Sequence, residues 1–418
     1  MRVLLVSDNY LPNRDGVAAS VACLAAGLCE LGHEVTVLAP RAAAAVPAAG
    51  HRVHLVRSFR TGQGGYRFAL VSPKALGRAI RDHRPDVVHV HTLGSLGMLA
   101  AAHCRRTKLT CVLTWHTDLM AYRKAYPVMN LAIPTMHAIG LMSGRAAEVG
   151  RALGGTARAV AAGTDLSSHH RHMLAQTLML FDQLIVPSEK ACAAISEMVP
   201  SHAPHVIPSA AARHGPLDAR AVRRLQAARE RIHHGDSVVT CVGRLSPEKN
   251  VGALLRTFSR HVLPAVPDAR LNIIGDGGSK GAHERLVSRL GISHAVAFAG
   301  SVPPELIGPL LASSAVLAHP SLTETQGLVI AEAALAGVPS VVLDDALADV
   351  VRHGETGYIA GSTACFGATL ALLLERPDIR FRLASGARRT AAEYTPVRYA
   401  SRVAQVYDDA KGSSPKLA

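Results

Sequence analysis

Two carboxylates eight positions apart, with a glycine between them, carry the clearest chemical signal in the chain: Ser321-Leu-Thr-Glu324-Thr325-Gln326-Gly327-Leu328-Val-Ile-Ala-Glu332. An apolar run ends near His319-Pro320, a short loop follows, and helical periodicity starts around Gly327. Backbone N–H groups at a helix start can hold a phosphate or a sugar oxygen. Gly327 lets a ligand approach that backbone closely. Glu324 precedes the helix and Glu332 lies about one and a half turns inside it. The two can therefore reach different ends of one ligand and accept hydrogen bonds from vicinal hydroxyls, as on a sugar ring or ribose. The plainer alternative is a helix start with surface glutamates. A second motif, Gly243-Arg244-Leu-Ser-Pro-Glu-Lys249, follows another apolar run. Two fixed cations facing one ligand would neutralise a diphosphate leaving group, work that a divalent metal does in other transferases. No Asp-x-Asp metal clamp occurs in the chain.

The first half offers a different set. Asn13-Arg14-Asp15-Gly16-Val17 follows the first apolar run and opens a helix, so Gly16 could bring backbone N–H groups to a phosphate or a reaction centre. His116 ends the run Leu113-Thr-Trp-His116-Thr-Asp118. Asp8, Asp15 and Asp118 fall in loops, where carboxylates suit a polyol or an amine-bearing acceptor. Two further strand ends carry glycine turns, at Ile274-Gly275-Asp276-Gly277-Gly278 and Ala299-Gly300-Ser301-Val302. His89 and His91 share one face of a strand, and His169, His170, His172, His233 and His234 form local clusters. No carboxylate or cysteine falls at ligand spacing from them, so no metal site is expected.

These residues need a scaffold of alternating strands and helices. Short β-branched runs alternate with helix-period stretches, the pattern of parallel βαβ units. Strands are expected at 2–7, 34–39, 53–56, 86–90, 110–114, 184–186 and 205–207. A second cycle is expected at 238–242, 271–274, 296–298, 315–318 and 340–343. A helix over 18–31 ends at Gly32, and another is expected over 396–411. In two consecutive doubly wound sheets, ligands belong at the carboxyl ends of the strands. The 418 residues suffice for two such domains, and the Pro/Ala-rich stretch 208–216 is the favoured boundary.

Composition narrows the class. Apolar residues at 49% against 18% charged indicate a globular chain. The apolar run Leu328–Leu343 is interrupted by Glu332 and Pro339, so no bilayer span is expected. The apolar run at the N-terminus is shorter than a signal-peptide core. Seven cysteines without a CxxC pair read as reduced core residues of a cytoplasmic protein. The net charge of +14 attracts anions. With aromatics at only 4%, base stacking has few rings to use, and no nucleic-acid partner is expected.

Taken together, the motifs resemble the retaining glycosyltransferases of the GT-B fold, specifically the group-1 (GT4) family. The likeness spans nearly the whole chain and is most specific in the second half, where Glu324 to Glu332 matches an E-x7-E signature and Gly243 to Lys249 a G-R-x(4)-K segment. The resemblance implies an α/β protein of two Rossmann-like doubly wound domains facing a central cleft. Residues 1–207 would bind the acceptor and 208–395 the nucleotide-sugar, with 396–418 packing back toward the first domain. It implies donor contacts from Gly16, Gly243, Arg244, Lys249, Gly275, Val302, Glu324, Thr325, Gln326, Gly327, Leu328 and Glu332, with Glu324 at the sugar and Glu332 at the ribose. His116, Glu324, Arg244 and Lys249 would be catalytic, and Asp8, Asp15 and Asp118 would face the acceptor. Asp15 stands where the family usually has the first glycine of its loop. Gly278 stands where it usually has proline, and Ser209 follows Pro208 where it has Asn-Gly. The implied reaction transfers a hexose or aminohexose from a nucleotide-sugar, UDP favoured, with retention and without a metal cofactor. The expected acceptor is a small polar natural product such as an aminocyclitol intermediate. A membrane glycolipid is the alternative, with Lys74, Arg78 and Arg81 as a candidate basic surface. Sugar-nucleotide epimerases and a non-catalytic sugar-nucleotide sensor are the rival classes.

Overall fold

Val- and Leu-rich runs that are buried on both faces suit parallel strands covered by helices, and both halves of the chain fold this way. The computed structural model describes all residues except 14, 43–49, 61–66, 127, 142–165, 212–216 and 414–418. Two units emerge: Met1–Ala210 with Pro396–Ala418, and Ala211–Thr395. The chain changes unit inside the stretch favoured from sequence, of which 212–216 lie outside the described residues.

In the first unit, β1 (Arg2–Val6) leads into α1 (Gly16–Glu30), then β2 (Glu34–Pro40) and β3 (Arg52–Val56). A short antiparallel hairpin, β4 (Ser58–Arg60) and β5 (Arg67–Ala69), was not expected from the sequence pattern. Then follow α2 (Pro73–His83), β6 (Val87–Val90), α3 (Ser95–Thr107), β7 (Cys111–Thr114), α4 (Leu119–Ala125), β8 (Gln183–Val186) and β9 (His205–Val206). The seven-stranded sheet runs β3-β2-β1-β6-β7-β8-β9, with all pairs parallel. Strand order reverses between β1 and β6, which opens a crevice at their carboxyl ends. Leu4, Val6, Val88, Leu96, Met98 and Leu113 centre the core. The C-terminal helix Pro396–Ser413 packs on α1, so closely that a Cβ on Gly27 would lie 2.2 Å from the Pro396 carbonyl oxygen. Buried hydroxyls join the layers there: Ser20 donates to Ser209 at 2.9 Å and lies 3.3 Å from the Tyr399 hydroxyl.

The second unit repeats the scheme with β10 (Val238–Val242), β11 (Arg270–Ile274), β12 (Val296–Gly300), β13 (Val316–His319), β14 (Ser340–Val342) and β15 (Gly357–Ile359). Its order is β12-β11-β10-β13-β14-β15, again all parallel, with the reversal between β10 and β13. Val239, Leu255, Phe258, Leu271, Ile273 and Leu370 form its core. The expected cysteine pattern needs correction. Cys23, Cys104, Cys111 and Cys241 are buried, but Cys29 and Cys192 are half-buried and Cys365 is exposed, since it sits in the first turn of a surface helix.

Candidate active site

The two second-half motifs, 75 residues apart, meet at the reversal point of the second sheet. The loop after β10 carries Gly243 and Arg244, then a single 3-10 turn, Pro247–Lys249. The loop after β13 carries Ser321 to Gln326 and ends at Gly327, the N-cap of the helix Leu328–Ala336. Lys249 donates to Glu324 Oε1 in an ion pair, and His319 Nε2 lies 3.8 Å from the same oxygen. Backbone and hydroxyl contacts hold the two loops together. Asn250 donates to the Pro320 carbonyl at 3.1 Å, Ser321 to the Glu248 carbonyl at 3.3 Å, and Ser246 to the buried Glu248 carboxylate at 2.6 Å. Burial alone would raise the Glu324 carboxyl. Lys249, and then His319, outweigh it and hold the group at about 2. Arg244 is exposed and, with Gly243, Lys249, His319 and Ser321, lines a shallow hollow with room for about one water.

Gly327 has φ of 76°, left-handed backbone that L side chains rarely adopt, and a Cβ there would sit 3.3 Å from His319 Nε2. The helix it opens has no side-chain cap, so the first N–H groups point from its end unclaimed by a cap. Gln326 is buried, Thr325 is half-buried, and Leu328 is the first helical residue. Glu332 is half-buried on the helix face opposite the core contacts, and desolvation pushes its carboxyl up to about 7. Gly275 has a structural reason to be glycine: its φ is 144°, and a Cβ would fall 1.8 Å from the Gly243 carbonyl oxygen. It thereby lets the ends of β10 and β11 close together. The Val302 side chain is spent in a small core cluster with Ile274, Ala299 and Leu306, so only its backbone can serve a ligand.

In the first unit the three aspartates expected to face an acceptor all hold local structure. Asp8 is 2% exposed and its carboxylate is fully engaged. It accepts from the backbone N–H groups of Leu96 at 2.7 Å and Gly97 at 3.1 Å, and from the hydroxyls of Thr92 and Ser95 at 2.9 and 3.2 Å. It is the anion at the N-terminus of α3. Burial raises its pKa, and the four donors only partly oppose this. Asp15 caps α1 by accepting from Ala18 N–H at 3.0 Å, and it also accepts from the Asn9 amide. Asp118 caps α4, its Oδ1 accepting from Met120 and Ala121, both at 2.9 Å. Asp15 and Asp118 are thus N-caps, the commonest use of a loop aspartate before an apolar helical run, whereas Asp8 closes the start of α3 from a distant strand end. Gly16 is the exposed first residue of α1.

His116 follows β7 and is half-buried, and burial pushes its imidazole down to about 4. Its Nε2 lies 3.0 Å from Nδ1 of His91, just beyond β6. His319 escapes a motif reading because it is a single histidine ending an apolar strand, and the sequence pairs His91 with His89 but not with His116. The available signal is positional: both directly follow or end the strand beyond a sheet reversal. Among the described residues no group of three His, Cys, Asp or Glu could hold a metal ion, and no helix is long and apolar enough to cross a membrane.

Known proteins share this fold. The family described as "Glycosyl transferases group 1" matches residues 236–376, and "Glycosyltransferase Family 4" matches residues 14–211. Together they cover more than three quarters of the chain. An alpha-monoglucosyldiacylglycerol synthase of Acholeplasma laidlawii is 26% identical over 98% of this chain and 97% of its own length. A GDP-mannose-dependent alpha-mannosyltransferase of Mycolicibacterium smegmatis is 27% identical over 86% of this chain and 84% of its own. The solved structure of Anabaena Alr3699/HepE in complex with UDP-glucose superimposes with a TM-score of 0.67 at 16% identity, covering 98% of this chain and 100% of that one, which shows a shared GT-B fold. With both family descriptions landing on the two sheets whose reversal points hold the motif residues, the chain belongs to the group-1, family 4 glycosyltransferases, enzymes that transfer a sugar from a nucleotide-sugar.

Proposed function

We propose that the protein is a metal-independent, retaining hexosyltransferase that glycosylates a hydroxyl of a lipid acceptor. The observation that carries the donor half is the Lys249–Glu324 cluster beside the uncapped start of the helix Leu328–Ala336. The diphosphate lies against Arg244, Lys249 and that helix start, where positive charge stands ready for the leaving group. Glu324 holds sugar hydroxyls and Glu332 the ribose. Gly243, Gly275, Val302, Thr325, Gln326 and Leu328 contribute backbone around the nucleotide. The bond from the anomeric carbon to the phosphate oxygen breaks, and its electron pair leaves with the nucleoside diphosphate. The acceptor oxygen bonds to the same face of that carbon, and its proton passes to the leaving phosphate. His116 is the catalytic residue that the first unit contributes in this reading.

The acceptor assignment reverses the sequence-based expectation. A small polar or amine-bearing acceptor rested on Asp8, Asp15 and Asp118, whose carboxylates serve as helix caps. The relative matched along its whole length is named for a diacylglycerol glycolipid. A surface of the first unit suits a bilayer. Phe59 and Phe68 pair across the hairpin with ring centres 5.5 Å apart, and both are exposed, as is Leu70. Arg57 and Arg60 are exposed on the same segment, and Lys74, Arg78 and Arg81 on α2. Exposed aromatic and aliphatic side chains with interleaved cations bind anionic interfaces.

Calorimetric titration of UDP, GDP and ADP in EDTA tests the donor site. UDP binding that is lost in Arg244→Ala is the expected result. Binding that needs a divalent ion, or that survives the substitution, sinks the cation clamp, and preference for GDP redirects the donor. Flotation with vesicles containing anionic lipid tests the acceptor side. Binding that falls in Phe59→Ser/Phe68→Ser supports the lipid reading, whereas absence of binding returns the small polar acceptor to first place.

A further inference from the structure

Three histidines form a line in the first unit, and the donor chemistry uses His116 while leaving His89 and His91 unexplained. The Tyr407 hydroxyl of the C-terminal helix meets His89 Nδ1 at 2.7 Å, and His89 Nε2 meets Thr114 Oγ1 at 2.7 Å. The ring of His89 lies against that of His91 with centres 4.1 Å apart. His91 Nδ1 meets His116 Nε2 at 3.0 Å, and these rings stack with centres 5.3 Å apart and planes 21° from parallel. His89 and His91 are fully buried. Desolvation lowers the pKa of all three rings, reinforced at His89 and His91 by their histidine neighbours, so each is neutral and carries one hydrogen.

Neutrality makes the His91–His116 contact a choice between two tautomers. One ring must donate and the other accept. His91 Nε2 is buried with no hydrogen-bond partner among the described residues. If His116 donated, the hydrogen of His91 would sit on that Nε2 as a buried N–H with no acceptor. If His91 donates, only a lone pair is left unmet there. Buried orphan N–H groups are rarer than undersatisfied acceptors, because the donor's desolvation is left uncompensated. We infer that His91 is a positioning residue that donates its Nδ1–H to Nε2 of His116, fixing His116 as the Nδ1–H tautomer, a neutral hydrogen-bond donor and not a base. This rests on the reading that His116 takes part in the transfer. His89, held by Tyr407 and Thr114, is the fixed wall against which His91 is packed.

Long-range proton–nitrogen correlation on the ¹⁵N-labelled protein reads imidazole tautomers directly, with the His116 signals assigned by their loss in His116→Ala. His116 should show a protonated Nδ1 and an unprotonated Nε2. The opposite pattern in the wild type overturns the inference, and that measurement needs no variant at position 91 to fold. In His91→Phe, which keeps the ring but not the donor, His116 should become a mixture of tautomers. Its kcat should fall about 10–100-fold, the usual cost of losing an orienting partner, with donor KM within about threefold. His91→Asn, which can still donate, should recover part of the loss. Unchanged tautomer and kcat in His91→Phe would remove His91 from any positioning role. Should His116→Ala itself retain wild-type kcat, the placement of His116 at the reaction fails, while the tautomer result still decides what His91 does to it.

Discussion

Both sheets reverse strand order between their first and fourth strands, and they fill that point in opposite ways. In the first unit, Asp8 leaves β1 and enters the start of α3, where its carboxylate takes two backbone N–H groups and two hydroxyls. Even a Cβ on Gly94 would lie 2.4 Å from that carboxyl carbon. In the second unit, β10 is followed by cations, Arg244 and Lys249, and the helix after β13 starts at a glycine without a side-chain cap. A helix start is an anion site by virtue of its N–H groups and dipole. The first unit satisfies that site with its own carboxylate, and the second leaves it without a side-chain cap, which is why the diphosphate is proposed to lie there.

The largest effect that would test this contrast is on rate. Arg244→Ala should reduce kcat by about 10²–10³, the usual cost of removing one preorganised charge-stabilising group, with an unchanged melting temperature because the side chain is exposed. A near-normal rate would erase the distinction between the two reversal points. Asp8→Ala should act the other way. It strips acceptors from four buried donors and should cost about 2–4 kcal/mol in urea denaturation, combining a lost cap with unmet buried groups. UDP affinity should stay within about twofold if the first unit's site is structural. A stable Asp8→Ala protein with a raised acceptor KM would restore the acceptor role.

The smallest effect concerns Glu332. Its carboxyl is raised to about 7 by burial, so its charged form is populated only as pH rises through that value. The carboxylate, not the acid, accepts hydrogen bonds from both ribose hydroxyls. UDP affinity should therefore increase between pH 6 and pH 8, by up to about tenfold for one pKa unit of differential interaction, and Glu332→Gln should flatten the profile. An equally steep profile in the variant would place the titrating group elsewhere.

Residues that act within one strand–loop–helix segment were legible from sequence. Gly243 to Lys249 and Glu324 to Glu332 each span fewer than ten positions, and local geometry alone puts them at a strand end or a helix start. The order of strands and helices followed from hydrophobic runs for the same reason. The hairpin β4–β5 and β15 were missed because Ser-Phe-Arg, Arg-Phe-Ala and Gly-Tyr-Ile carry no β-branched run, unlike the equally short β14.

By itself, then, the sequence determined the alternating strands and helices, the reach of the chain into two doubly wound sheets, and the cation and carboxylate motifs at their strand ends. The tertiary structure decided which group each charge or ring would meet. A carboxylate just past a strand reads the same whether it faces solvent or a helix end, and only the return of the chain 88 residues later put Leu96 N–H against Asp8. The same holds for Lys249 with Glu324 across 75 residues and for His89 with Tyr407 across 318. Such partners are chosen by sheet topology and by the penalty for burying a polar group unpaired, and neither is written in local spacing.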